Sequence, residues 1–222
     1  MKTSKSSKAW LHRQESDPYV RRAKSEGYRS RAAFKLLEID ERDRLIKPGM
    51  TVVDLGAAPG GWSQVAAEKV GAQGQVFALD LLDMQPIRGV TFIRGDIADP
   101  KIVAELRQAV EGRSVDLVLS DMAPNISGIG HADSSRGIEL AQLALAISTM
   151  ILKHGGSFLV KFFEGAESRE FRDELNTCFK EVVTRKPRAS RDRSREIYLL
   201  GRNFKGGTIG LSSAHSISQE NR

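Results

Sequence analysis

Short apolar runs, most of them closing on an acid and separated by stretches long enough for a helix, constrain this 222-residue chain more than any other feature. Strand-like runs occur at 51–55 (TVVDL), 75–80 (QVFALD), 90–94 (VTFIR), 115–120 (VDLVLS), 156–163 (GSFLVKFF), 181–185 (EVVTR) and 196–201 (EIYLLG). Helix-like segments lie between most of them, at 61–70, 99–111, 137–153 and 167–179. An earlier one runs through AAFKLLEIDER, with Ser30 as its expected cap and Lys47-Pro48-Gly49 as its stop. Strands joined by ten or more helical residues need crossovers, so the pattern predicts an α/β fold with a mostly parallel seven-stranded sheet and helices on both faces. Segment 137–153 is apolar nearly all round and is expected to pack on the sheet, with Met150 as core filler.

In such a sheet, ligands bind beyond the carboxyl ends of the strands. Those ends carry Asp54, Asp80, Asp96 and Asp121, and then Lys161 on the fifth strand. One acid there is an ordinary turn former; four in succession beside a lysine read as a functional cluster.

The first strand runs into Asp54-Leu-Gly-Ala-Ala-Pro-Gly-Gly-Trp-Ser-Gln64. Glycines at 56, 60 and 61 allow close backbone approach to a ligand at a helix N-terminus. Asp80 follows Gly60 by twenty residues, the offset of a ribose-binding acid. The loop has neither the G-x-G-x-x-G spacing of a dinucleotide site nor the G-K-[ST] ending of a triphosphate site, so a nucleoside without a polyphosphate fits better. S-adenosylmethionine is the expected cofactor, because an acidic pocket suits its positive sulfonium and would repel ATP.

The ends of the chain are basic. Residues 1–31 and 180–205 each hold nine basic and three acidic residues, while the body between them is acidic. Flanking basic segments suit the phosphates of a nucleic acid, although they also describe a solvated surface. The first fourteen residues, free of acid and rich in Ser, share the composition of an organelle transit peptide, and residues 206–222 read as a disordered polar tail. A single Cys, Cys178, allows no internal disulfide, four scattered His give no metal site, and no apolar run reaches the length of a membrane span. No metal and no membrane partner are expected.

Five runs together carry a family resemblance: GYRSRAAFKLLEID (27–40), VVDLGAAPGGWSQ (52–64), SDMAPN (120–125), GSFLVKFF (156–163) and RSREIYLL (193–200). In order and spacing they resemble the RrmJ/FtsJ family of ribosomal RNA ribose 2′-O-methyltransferases, over about Ser7 to Arg202. The resemblance implies a Rossmann-like S-adenosylmethionine-dependent methyltransferase fold. It also implies a catalytic tetrad at Lys35, Asp121, Lys161 and Glu196, and cofactor positions at Gly60, Trp62, Asp80, Asp96 and Asp121. Because it includes the basic N-terminal segment, 1–29 is read as an RNA-binding arm, 30–205 as the methyltransferase domain and 206–222 as the tail. The implied substrate is a uridine of large-subunit ribosomal RNA in the assembled subunit, for a monomeric cytoplasmic enzyme. Departures are confined to Phe163 and Glu164, which follow the implied catalytic Lys, and to the tail beyond about Lys205.

Methyl transfer to a ribose hydroxyl requires collinear donor and acceptor and a destination for one proton. Lys161 is the expected proton acceptor: burial, the sulfonium and Lys35 favour its neutral amine, while Asp121 and Glu196 orient it. A purely structural ion pair is the alternative reading of these residues. Asp80 is expected on the cofactor ribose and Asp96 on the adenine amino group. Trp62 either flanks the cofactor or packs helix against sheet, and Tyr198 either stacks on RNA or lies in the core. Arg31, Lys35 and the segment 185–195 are expected to clamp phosphates. A nicotinamide oxidoreductase is disfavoured by the loop spacing, and an amino-group methyltransferase by the lack of an Asn-Pro-Pro-Tyr-like run at Asp121-Met-Ala-Pro. Transfer RNA or a messenger cap as substrate, and a ribosome-assembly factor without chemistry, are the remaining alternatives.

Overall fold

The structure is a computed structural model that describes residues 17–124, 130–165, 168–190 and 194–207. The first sixteen residues of the arm, Arg191 to Arg193 of the second basic segment and the tail from 208 lie outside the described residues.

In chain order the elements are α1 (Pro18–Glu26), α2 (Ala32–Asp43), β1 (Thr51–Leu55), α3 (Gly61–Val70), a short 3₁₀ turn (Gly71–Gln73), β2 (Gln75–Asp80), β3 (Val90–Arg94), α4 (Pro100–Ala109), β4 (Val115–Ser120), α5 (Gly130–Ile151), β5 (Leu152–Phe163), α6 (Ser168–Cys178), β6 (Phe179–Arg185) and β7 (Glu196–Phe204). The seven strands form one sheet in the order β3-β2-β1-β4-β5-β7-β6. The pairings among β1 to β5 are parallel, and β7 runs antiparallel to both β5 and β6. This is the expected Rossmann-like sheet with helices on both faces.

Several boundaries differ from the sequence reading, among them those of β6, which begins at Phe179, and β7, which runs to Phe204. Helix α1 lies inside the segment read as an arm; Asp17 caps it by accepting the Tyr19 N–H, Pro18 opens it, and Gly27 closes it in the left-handed region. Ser30 does not cap α2. Arg31 is the N-cap, with no side-chain capping bond, and the Ser30 hydroxyl packs toward Gly61 of α3, where a Cβ would come within 2.3 Å of it. Helix α5 begins at Gly130, not at 137. Strand β5 begins at Leu152 because that residue already pairs with Val115, with an irregular register before Ser157 meets Leu117.

Alternation along the strands sorts the core. Val52, Val76, Leu117, Leu119, Leu159, Tyr198 and Leu200 pack with residues of α2 and α3 such as Leu36, Ile39, Trp62 and Val65. Their neighbours Val53, Phe77, Val118, Phe158, Val160 and Leu199 face the other way, onto Leu106, Leu145 and Phe171 of α4, α5 and α6, with Met150 packed against them. Truncating one of these buried aromatics to Ala costs about 3–5 kcal/mol. Side chains repeat every two residues, so the first series extends past Leu119 to Asp121, past Leu159 to Lys161 and back from Tyr198 to Glu196. All three emerge at one edge, on the α2 face of the sheet. The antiparallel course of β7 brings Glu196 there, opposite Phe163, with Tyr198 opposite Lys161.

Candidate active site

Along the carboxyl edge of β1, β2, β3 and β4 lies a cavity of about 420 Å³, lined among others by Gly56, Ala58, Asp80, Asp96, Asp121 and Met122. Three of the four predicted acids thus reach one space. Asp80 shapes it: one carboxylate oxygen accepts the Ala58 N–H at 2.8 Å and the other the Leu82 N–H at 2.7 Å, holding the turns after β1 and β2. Asp96 is exposed and accepts the Ala98 N–H at 2.9 Å. Gly56, with φ +75°, is where the wall tolerates no side chain, since a Cβ would come to 2.2 Å of Met122 Cγ.

The fourth acid, Asp54, lies beneath the floor. It is buried, one oxygen accepting the Ser63 hydroxyl at 2.6 Å and the other without a partner. Burial pushes its carboxyl up to about 7, the charges of Asp121 and Asp80 add to this, and the Ser63 hydroxyl opposes it.

Two predicted cofactor positions do not line this cavity. Gly60, the left-handed N-cap of α3, packs under the 81–89 loop, where a Cβ would meet Met84 and Ile87 at 2.8 Å. The Trp62 indole is core: it donates to the Ala32 carbonyl at 2.8 Å and tilts against the Tyr198 ring at 5.5 Å. Helix-to-sheet packing, one of its two expected roles, is the one its side chain fills.

The tetrad residues come together at the adjoining end of the edge. Lys161, 8% exposed, donates to Asp121 twice, to Oδ1 at 2.8 Å and to the backbone carbonyl at 3.0 Å. Lys35, carried over the sheet on the buried face of α2, pairs with Glu196 Oε1 at 2.7 Å. Tyr198 was not predicted as a linker; it is fully buried, and its hydroxyl donates to Asp121 Oδ1 at 2.7 Å and lies 3.3 Å from Glu196 Oε1. A stacking role on RNA is closed to it. Burial and both carboxylates push its phenol well above the usual range, so it stays a neutral donor. Burial alone would push the Glu196 carboxyl up, but Lys35 and Lys161, with bonds from Lys35 and Ser190, hold it below the usual range.

Three other contacts carry no local sequence signal. The Arg29 guanidinium donates to the carbonyls of Gln85 at 2.5 Å and Pro86 at 2.7 Å, fastening the 81–89 loop to the N-terminal segment. Arg31, expected to clamp phosphate, pairs with Asp17 and donates to the Ala189 carbonyl. Arg185, also expected there, grips Asp43 with two nitrogens at 2.6 and 2.7 Å. Arg22, Arg42, Lys186 and Arg188 are exposed and border a cleft of about 530 Å³ between the first two helices and the chain leaving β6.

Among the described residues no helix is long and apolar enough to cross a membrane, and no three His, Cys, Asp or Glu side chains are grouped to hold a metal ion. A ribosomal RNA large subunit methyltransferase E from Nitrosospira multiformis is 59% identical over 201 residues, spanning 90% of this chain and 98% of the relative. The protein of that name from Azoarcus sp. is 56% identical over the same shares. The crystal structure of a ribosomal RNA methyltransferase from Plasmodium falciparum superposes with a TM-score of 0.73 at 30% identity, covering 81% of this chain and all of that one. The family described as FtsJ-like methyltransferase matches residues 28–204, through every strand of the sheet and all four tetrad positions, and the chain belongs to that family.

Proposed function

We propose that this enzyme methylates the ribose 2′-hydroxyl of a uridine in large-subunit ribosomal RNA, with S-adenosylmethionine as donor. The single observation that carries the reading is Lys161, buried and fixed by two oxygens of Asp121, the residue that also lines the acid-rich cavity. A neutral amine has two N–H groups and one lone pair. Both N–H groups have acceptors on Asp121, so the lone pair is left to take a proton from a hydroxyl.

The cavity fits the donor by its chemistry. Among the described residues its ionisable lining consists of the carboxylates Asp80, Asp96 and Asp121, with no Lys, Arg or His, which suits a positively charged nucleoside and not a polyphosphate. The bound donor supplies a methyl group on a sulfonium. Asp80 would take the ribose hydroxyls and Asp96 would accept from the adenine amino group. Lys161 would take the proton of the target hydroxyl as that oxygen bonds the methyl carbon, the carbon–sulfur bond would break to leave a neutral thioether, and the proton would pass from the ammonium to solvent. Lys35 and Glu196 keep the neighbouring charge balanced.

The RNA side is read from the exposed cations Arg22, Arg42, Lys186 and Arg188. Incubation of the enzyme with methyl-labelled S-adenosylmethionine and purified large ribosomal subunits, followed by mapping of the label, tests this reading. The expected product is one 2′-O-methyluridine; label on a base nitrogen would refute it.

A further inference from the structure

One oxygen of Glu196 accepts from two donors, Lys35 and Ser190, beside the Tyr198 hydroxyl, while the other faces Lys161 across a gap. Oε1 lies 2.7 Å from Lys35 Nζ, 2.8 Å from the Ser190 hydroxyl and 3.3 Å from the Tyr198 hydroxyl. Oε2 lies 3.9 Å from Lys161 Nζ, within ion-pair reach and beyond hydrogen-bond distance. A carboxylate free to turn would bring its second oxygen onto Lys161 while keeping Lys35, since charge-assisted bonds are the strong ones.

Ser190 is itself locked. It is 5% exposed and ends a turn closed by its N–H donating to the Pro187 carbonyl at 3.0 Å. Glu38 of α2 accepts the Arg188 N–H of that turn at 2.6 Å, Arg31 holds the Ala189 carbonyl, and Ala189 is buried against Ala23 and Phe34. The turn is therefore fastened from both N-terminal helices, and its hydroxyl is presented to Glu196.

We propose that Ser190 is a positioning residue that keeps Glu196 turned toward Lys35 and off Lys161. The proposal rests on the reading of Lys161 as proton acceptor. The charged and titratable groups facing Glu196 are Lys35 from α2, Lys161 from β5, Asp121 after β4 and Tyr198 from its own strand. With Ser190 in place, Lys161 has one directly bonded carboxylate, Asp121. Without it, Glu196 becomes the second, and two carboxylates hold the ammonium's proton more tightly than one.

The test is kcat against pH for Ser190→Ala, Ser190→Cys and Ser190→Thr, with saturating S-adenosylmethionine and large ribosomal subunits. In the Ala and Cys variants the rising limb moves to higher pH. At a fixed pH on that limb kcat falls about 3- to 10-fold, while the high-pH plateau stays within about twofold. Thr keeps the hydroxyl and returns the limb to its parental place. Cys preserves the volume of the site, so it decides the matter if the Ala variant does not fold. An unmoved limb in any folded variant lacking the hydroxyl overturns the proposal, as does an equal loss at every pH, which is what a merely loosened turn gives. The limb must also vanish in Lys161→Ala; if it persists there, the proton-acceptor reading fails instead.

Discussion

The two halves of the sheet's carboxyl edge handle their charges in opposite ways. On the β1 to β3 side the acids are held by backbone: Asp80 by the N–H groups of Ala58 and Leu82, Asp96 by that of Ala98. On the β5 and β7 side the charges hold each other, Lys161 with Asp121 and Lys35 with Glu196, bridged by the Tyr198 hydroxyl. Carboxylates fixed by their own turns keep their negative charge for a cationic ligand. Charges fixed by each other form a cluster in which two ammonium groups are matched by two carboxylates. Asp121 belongs to both halves.

That double membership makes Asp121 the place where the contrast breaks most severely. Asp121→Asn leaves the Lys161 ammonium without its bonded carboxylate and removes a charge from the cavity wall. Turnover should fall toward the upper end of the 100- to 10,000-fold that positioned proton transfer contributes, with weaker cofactor binding alongside. Steady-state kinetics and calorimetry on the same variant check both losses; loss of one alone would separate the halves.

The next largest effect concerns the acid that neither half uses directly. Asp54 titrates at about 7 in the folded chain against an ordinary value of 3.8, so it binds its proton more tightly folded than unfolded. Its contribution is fully present below about pH 4 and is lost as pH rises to about 7, a decline of about 4 kcal/mol. Denaturant melts of the parent and of Asp54→Asn at several pH values should differ by this slope, the parent declining relative to the variant. Parallel curves would place the proton elsewhere. Glu196 and Asp43 have the opposite sign: both are held low, so the stability they add is present above the ordinary carboxylate range and is lost as pH falls below it.

Smaller effects sharpen the backbone-held half. Asp80→Ala removes the acceptor of two turn N–H groups and the expected ribose partner, and cofactor affinity should drop about 10- to 100-fold by calorimetry. Arg29→Ala should act through the 81–89 loop alone, weakening cofactor binding by a few-fold and leaving kcat at saturation unchanged. A fall in kcat would give Arg29 a role in the charge-paired half.

The same contrast accounts for what could be read from the sequence. Acids at strand ends and glycines in the first loop are local signals, and the seven strands, the parallel order and the shared edge follow from period-two alternation and crossover length. The contacts of the charge-paired half join residues far apart in the chain. No local pattern pairs Tyr198 with Asp121, sets Ser190 against Glu196 or commits Arg31 and Arg185 to Asp17 and Asp43. The cap misread at Ser30 has a similar origin: a serine before a helix is a sound local signal, but close packing against Gly61 draws the hydroxyl away. Helix α1 was the reverse case, since Asp17-Pro18 is a good start signal obscured by the basic residues around it.

Single-turnover methyl transfer by Lys161→Ala, with cofactor and large ribosomal subunits both saturating, tests the account most directly. If the buried amine takes the hydroxyl proton, the chemical step slows by about 100- to 10,000-fold while cofactor affinity stays near the parent's. A chemical step as fast as the parent's would contradict it.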